Sequence, residues 1–167
     1  ERSKCNLKIS FETITMKDSL DLTKEDIYNI VNACKKTRYN KIIITHGTDT
    51  ITKTAELIAK ENLKNKTIIL TGAMIPYAFG SSSDGFFNLG CALSFVQTLN
   101  PGVYITMQGE YFNWNEVKKN KNWNKMSYKQ KFTEVILYIN DYVNKWGETY
   151  LATNYVITNI YNFKIII

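Results

Sequence analysis

Cysteine, histidine and proline are scarce in this chain, at three, one and two among 167 residues. Cys5, Cys34 and Cys91 are odd in number and far apart, which argues against a disulfide framework and fits a reducing, cytoplasmic setting. One histidine and three scattered cysteines give no cluster spaced to hold a metal. No apolar run approaches the roughly 20 residues needed to span a bilayer, so no membrane role is expected. There is no internal repeat, no Gly/Ser/Pro linker and no recognisable nucleic-acid-binding motif.

What is present is an ordinary globular composition, 44% apolar and 22% charged. The length suits one domain with a real core and is short for two. The net charge of +6 lies mostly in residues 117–131, VKKNKNWNKMSYKQK, where Trp123 and Tyr128 interleave with lysines. Lysines beside aromatics can contact phosphates and stack on bases, but without a motif around them a solvated basic face is the expectation, and nucleic acid is not an expected partner.

Along the chain the apolar period alternates between that of strands and that of helices. LKISFETI alternates like a half-buried strand. LTKEDIYNIVNACKKTR follows as a helix, with Thr23 and Asp26 in the spacing of a capping box and Ile27, Ile30, Val31 and Cys34 on one face. KIIIT reads as a strand buried on both sides, TITKTAELIAKEN as a helix and TIILTG as a second buried strand. After a long polar loop, DGFFNLGCALSFVQTL reads as a helix buried on most sides. Asn100-Pro101-Gly102 ends it, and GVYITM is a third buried strand. Buried strands alternating with helices predict an α/β fold of three layers, a mostly parallel sheet with helices on both faces. Connections are expected to be right-handed, and ligands to collect beyond the carboxyl ends of the strands. The expected division is an α/β domain over 1–120 and an extension over 121–167, in which TEVILYINDYVNKW is a helix or a strand.

The densest cluster of small polar groups is ITHGTDT, Ile44 to Thr50, at the end of KIII. It carries three threonines, an aspartate and the lone histidine, whereas a turn asks only for Gly and Asp or Asn. One reading is purely local: Gly47 turns, Asp49 or Thr50 caps the next helix, and His46 is a hydrogen-bonded structural residue. In the same way Ser83 or Asp84 would cap the helix after the second loop, TGAMIPYAFGSSSDG. The other reading is a site. A threonine hydroxyl needs a base to act as a nucleophile, a lysine can serve if burial or nearby positive charge lowers its pKa, and a helix start favours a carboxylate or developing oxyanion. Both loops follow strands and should share one rim of the sheet.

Taken together, ITHGTDT, ILTGAMIP and SSDGFFNL, with KDSLDLT upstream, resemble the bacterial-type L-asparaginases in order and spacing, over roughly Phe11 to Asn120. The resemblance implies an L-asparagine amidohydrolase without metal or organic cofactor, working as a homo-oligomer on a small-molecule substrate, L-asparagine or L-glutamine. It implies catalytic roles for Thr48, Asp49 and a lysine in the pattern acidic residue, valine, any residue, lysine. That pattern falls on Glu116-Val117-Lys118-Lys119 and selects Lys119 over Lys118. Ser19 corresponds to the serine that holds the substrate α-carboxylate, Asp49 also pairs with the α-ammonium, and Ala73 falls where the family places a backbone carbonyl near the amide.

The chain departs from the pattern twice. The family's T-G-G-T motif, whose threonine is widely assigned as nucleophile, has no counterpart, since Thr13 and Thr15 lack the glycines; it is expected upstream of Glu1. The smaller C-terminal domain of longer family members also has no counterpart after Lys119. Two other functions therefore stand beside hydrolysis. One is an inactive family remnant that binds an acidic amino acid or amide. The other is an amidotransferase-type subunit supplying ammonia to a tRNA-linked reaction, favoured only by the basic stretch.

Overall fold

Three short apolar runs make the parallel centre of a sheet. In the computed structural model, which describes Leu7, residues 9–120 and residues 125–128, these runs are β1 (Lys41–Thr45), β2 (Thr67–Thr71) and β3 (Gly102–Met107). They lie side by side in that order, with Ile43 level with Ile69 and Ile69 with Tyr104. An antiparallel strand, β4 (Glu110–Asn113), follows β3 through a two-residue turn in which Gln108 and Gly109 both have positive φ. β5 (Val117–Asn120) and β6 (Lys125–Tyr128) form a separate two-stranded sheet. The four-stranded sheet with its helices lies within one compact unit, which ends at Ser127. The TEVILYINDYVNKW segment lies outside the described residues.

Three helices clothe the four-stranded sheet: α1 (Lys24–Lys36), α2 (Ile51–Lys60) and α3 (Gly85–Thr98). α1 starts as its sequence dictates. Asp26 N–H donates to Thr23 Oγ1 at 3.2 Å, and Thr23 N–H donates back to the Asp26 carboxylate at 2.8 Å. That reciprocal pair satisfies two of the donors a helix start leaves open. Ile30, Val31 and Cys34 are the buried face, and α1 packs on α2.

α3 lies on β1, β2 and β3, with Ala92 and Val96 against Ile69 and with Ile43 and Tyr104 beside them. β2 is buried at all five positions, so its opposite face, carrying Ile68 and Leu70, is covered as well, and α2 is the other helix that packs on it. This is the three-layer α/β arrangement expected from the sequence. The handedness is not. β1, β2 and β3 step in one lateral direction while α2 and α3 lie on opposite faces, so the two crossovers have opposite hands and one is left-handed. Strand twist favours the right hand, but two right-handed connections would put both helices on one face and leave the other bare.

Three further expectations are corrected. Leu7 and residues 9–14 form no strand, and Ile9, Phe11 and Ile14 face solvent at 44%, 89% and 37% exposure. An alternating run becomes a strand only when a neighbour takes its hydrogen bonds, and no described strand lies beside it. β1 is not buried on both sides: it stands at the end of the sheet, and Ile42, Ile43 and Ile44 are half-buried. α3 is buried along the single stripe Asn88, Ala92 and Val96, with Phe86 and Phe87 exposed on its outer side. A helix laid on one face of a sheet has one neighbour, whatever its composition.

Candidate active site

The carboxyl ends of β1 and β2 form one rim, as parallel pairing requires, and His46 N–H extends the ladder by donating to Thr71 C=O at 2.8 Å. The loops that leave this rim, His46–Thr50 and Gly72–Asp84, carry most of the polar groups singled out in the sequence.

Neither helix start follows the local capping reading. Thr50 occupies the N-cap of α2, yet its hydroxyl makes no capping bond and donates to Ser19 C=O at 2.9 Å. Asp84 occupies the N-cap of α3, yet its carboxylate accepts from Met74 N–H at 3.1 Å, Ile75 N–H at 2.9 Å and Asn88 Nδ2 at 2.8 Å. Burial pushes the Asp84 carboxyl up, but the Ile75 and Met74 amides and the Asn88 amide outweigh it and leave it below the ordinary range. Ser83 does bond its local backbone, accepting from Gly85 N–H at 3.0 Å.

His46 is a structural residue. Its Nδ1 lies 2.7 Å from Gly47 C=O, which can only accept, so Nδ1 carries the proton and Nε2 accepts from the buried Thr54 hydroxyl at 2.9 Å. Burial pushes its pKa down and holds the ring neutral. Two glycines let the loops close around it. A Cβ on Gly72 would collide with the His46 carbonyl oxygen, and one on Gly47 would meet Ser19 Cβ and Oγ at 2.7 Å.

Thr48, Asp49 and Lys119 come together across 70 residues of chain. Lys119 Nζ donates to Thr48 Oγ1 at 2.9 Å and to Asp49 Oδ1 at 2.8 Å. Thr48 is buried, while Lys119 and Asp49 remain 17% and 38% exposed. Strand alternation explains why the second lysine of the pair arrives here. On β5, Val117 is buried and Lys119 lies on its side of the strand, while Lys118 is exposed on the other. Part of the basic stretch at 117–131 therefore belongs to this cluster.

Ser19 sits beside the same loop, 2% exposed, and its hydroxyl has no hydrogen-bond partner among the described residues. A buried hydroxyl left unmatched costs about 1–3 kcal/mol, so it marks a position where a ligand group would be welcome. The N-terminus of α2, without a side-chain cap, is tied to Ser19 by the Thr50 hydroxyl bond and favours negative charge in front of it. Ala73 follows β2 on the facing loop, and neither its N–H nor its C=O is bonded among the described residues. An open pocket of about 460 Å³ is lined by Thr15, Lys17, His46, Gly47, Gly72 and Ala73 together with apolar groups of α1 and α3. It adjoins the Thr48–Asp49–Lys119 cluster through the rim loops without containing it. Among the described residues no group of three or more His, Cys, Asp or Glu side chains is placed to hold a metal, and no helix is long and apolar enough to cross a membrane.

With this rim in view, the comparison with known families is decisive. A family model described as the N-terminal domain of asparaginase matches residues 2–149. The chain belongs to the asparaginase family. Among its asparaginase relatives, the glutaminase-asparaginase of Acinetobacter glutaminasificans is 29% identical over 84% of the chain and 38% of that protein. The L-asparaginase of Thermococcus kodakarensis is 33% identical over 67% of the chain and 35% of that protein. A solved structure of the thermostable L-asparaginase from Thermococcus kodakarensis superposes with a TM-score of 0.65 at 26% identity, covering 77% of the chain and 45% of its own. The chain thus spans little more than a third of the length of these curated asparaginases.

One residue of the asparaginase rim lies inside the motif SSDGFFNL without being given a role by it. Asn88, fully buried, donates from Nδ2 to Gly72 C=O at 2.9 Å and accepts on Oδ1 from Gln108 N–H at 2.8 Å, besides its bond to Asp84. A signal was there: a weak helix former on the buried stripe of an otherwise apolar helix.

Proposed function

We propose that this chain is the catalytic N-terminal domain of an L-asparagine amidohydrolase, converting asparagine and water to aspartate and ammonia. The observation that carries the reading is the convergence of Lys119 Nζ on Thr48 Oγ1 and Asp49 Oδ1 at 2.9 and 2.8 Å. An amino-acid amide brings a carboxylate and an ammonium that must be matched before the side-chain amide is attacked. The buried, unpaired Ser19 hydroxyl and the α2 N-terminus suit the carboxylate. Asp49 suits the ammonium. Lys119 stands within hydrogen-bond reach of the Thr48 hydroxyl, the relation a hydroxyl nucleophile requires of its acid–base partner. The Ala73 carbonyl accepts the amide N–H, which separates an amide from an acid at that position. The same charge pattern suits L-glutamine, and the relatives named glutaminase-asparaginase support that breadth. The proposed enzyme is a homo-oligomer and needs no metal or organic cofactor.

The test is ammonia release from L-asparagine by the purified protein. Lys119→Met is expected to lower the rate by roughly 10²–10⁴-fold, the usual worth of a positioned acid–base group, with the melting temperature almost unchanged because Lys119 is partly exposed. Thr48→Ala is expected to lose as much, and the double variant little more, since groups acting as a unit are not additive. A folded Lys119→Met protein that retains full activity would overturn the assignment.

A further inference from the structure

Fixing a peptide plane at one end aims the group at the other. The Ala73–Met74 peptide has its N–H end held, since Met74 N–H donates to Asp84 Oδ2 at 3.1 Å, with Ile75 N–H beside it on Oδ1 at 2.9 Å. A trans peptide is planar with C=O and N–H opposed, and the described residues contain no cis bond. The Ala73 carbonyl therefore points away from Asp84. The preceding plane is held in turn, because Gly72 C=O accepts from Asn88 Nδ2 at 2.9 Å. Asn88 also donates to Asp84 Oδ2 at 2.8 Å, fixing the carboxylate that fixes Met74, and its Oδ1 ties the pair to Gln108 N–H of the β3–β4 turn. Every polar atom of the Asn88 side chain is thus engaged, and the residue is fully buried.

We infer that Asp84 and Asn88 are positioning residues that aim the Ala73 carbonyl, and so determine whether the site prefers a side-chain amide to an acid. This rests on the proposed function, in which that carbonyl accepts the substrate amide. Neither residue touches the substrate; both act through the Gly72–Ile75 backbone. A ligand without the amide N–H, such as L-aspartate, gains nothing from the aim, so the two residues contribute to selectivity and not to binding of the amino-acid group.

The decisive measurement is calorimetric titration, in a Thr48→Ala background that does not turn L-asparagine over, of the otherwise wild-type, Asp84→Asn and Asn88→Ser proteins with L-asparagine and with L-aspartate. Asp84→Asn keeps the shape but leaves one oxygen for three donors, so at least one amide is released. The expected result is that L-asparagine binds about tenfold more weakly to each variant, the worth of one hydrogen bond, while L-aspartate changes less than twofold. Equal weakening of both ligands, or of neither, would overturn the inference and leave the clamp a purely structural feature. An otherwise wild-type protein that binds neither ligand would overturn the functional reading itself and the inference with it. Should Asp84→Asn fail to fold, Asn88→Ser decides by the same ratio, and failure of both to fold would place the pair in the structural class.

Discussion

β1, KIIIT, and β2, TIILT, are five-residue strands of nearly the same composition, paired in register from Lys41 opposite Thr67 to Thr45 opposite Thr71. β2 is buried at every position, whereas the three isoleucines of β1 are only half-buried. The difference lies in their neighbours. β2 has a strand on each side and a helix on each face, while β1 has β2 alone beside it among the described residues. Apolar content tells a strand to seek cover and topology decides how much it receives. The rim follows the same logic. Where loops from β1, β2 and β3 meet, Thr50, Asp84 and Asn88 bond across loops, and among the described residues each buried side-chain nitrogen or oxygen but the Ser19 and Thr106 hydroxyls finds a partner.

The sharpest way to break the comparison is a matched pair of truncations on one face of the sheet. Ile69 and Ile43 are level with each other and both pack toward Ala92 and Val96 of α3. Ile69→Ala leaves a cavity between sheet and helix and is expected to cost about 2–5 kcal/mol. Ile43→Ala, at the half-buried edge, is expected to cost about half as much, because less apolar area leaves water there in the folded state. Denaturant melts at equal slope would give the two values. Equal losses would mean that β1 is as well covered as β2.

Gly72→Ala tests the rim at its tightest point. The new methyl would meet the His46 carbonyl oxygen, a backbone atom that cannot swing aside, with the Thr48 methyl at 3.3 Å behind it. A cost of about 1–3 kcal/mol is expected, along with loss of activity, since the collision separates the loops that carry Thr48 and Ala73. A stable, active variant would show that the two loops move apart freely.

Much of this layout is legible along the chain, and what is not legible shares one cause. The capping box of α1 is local, and Thr23 and Asp26 form it as their spacing predicts. The strand ends of HGTDT and TGAM are local, and parallel pairing brings them to one rim. A four-residue pattern selects Lys119 over Lys118, and the alternation of β5 turns it toward Thr48 and Asp49. The failures are non-local. Residues 9–14 alternate like a strand, but nothing in that stretch says whether a neighbouring strand lies beside it. α3 reads as buried because Phe86 and Phe87 are apolar, yet only its Asn88, Ala92 and Val96 stripe is buried. Asp84 reads as a cap because its partners Met74 and Ile75 lie a loop away. The left-handed crossover follows from covering both faces of β2, which no single segment encodes.

A smaller effect is expected from pH. His46 is held neutral in the folded chain, with its pKa pushed below the ordinary 6.5 chiefly by burial. The unfolded chain therefore takes up a proton first on acidification. The stability this contributes is fully present above pH 6.5 and is lost as the pH falls from 6.5 toward the lower folded value. Asp26, held down to about 2 by Lys17 and Thr23, and Asp84, also held low, act only below about 3.8, so the windows do not overlap. Melting temperature should fall as the pH drops below about 6.5, and the slope should flatten in His46→Gln. An unchanged slope would assign the acid sensitivity elsewhere.

The smallest effect on stability is expected at the outer edge. Phe11 is 89% exposed, so Phe11→Ser removes almost no buried area and should move stability by less than about 0.5 kcal/mol. Self-association is another matter. Phe11 and Met16, 93% exposed, stand on a stretch with no strand structure, while β1 has one side of its ladder open among the described residues. Exposed aromatic side chains and an open strand edge are both routes to association between chains. Light scattering at rising protein concentration should therefore fall in Phe11→Ser while the melting curve stays in place. A loss of more than about 1 kcal/mol would show instead that Phe11 is covered in solution, and that the edge, like β2, has a neighbour.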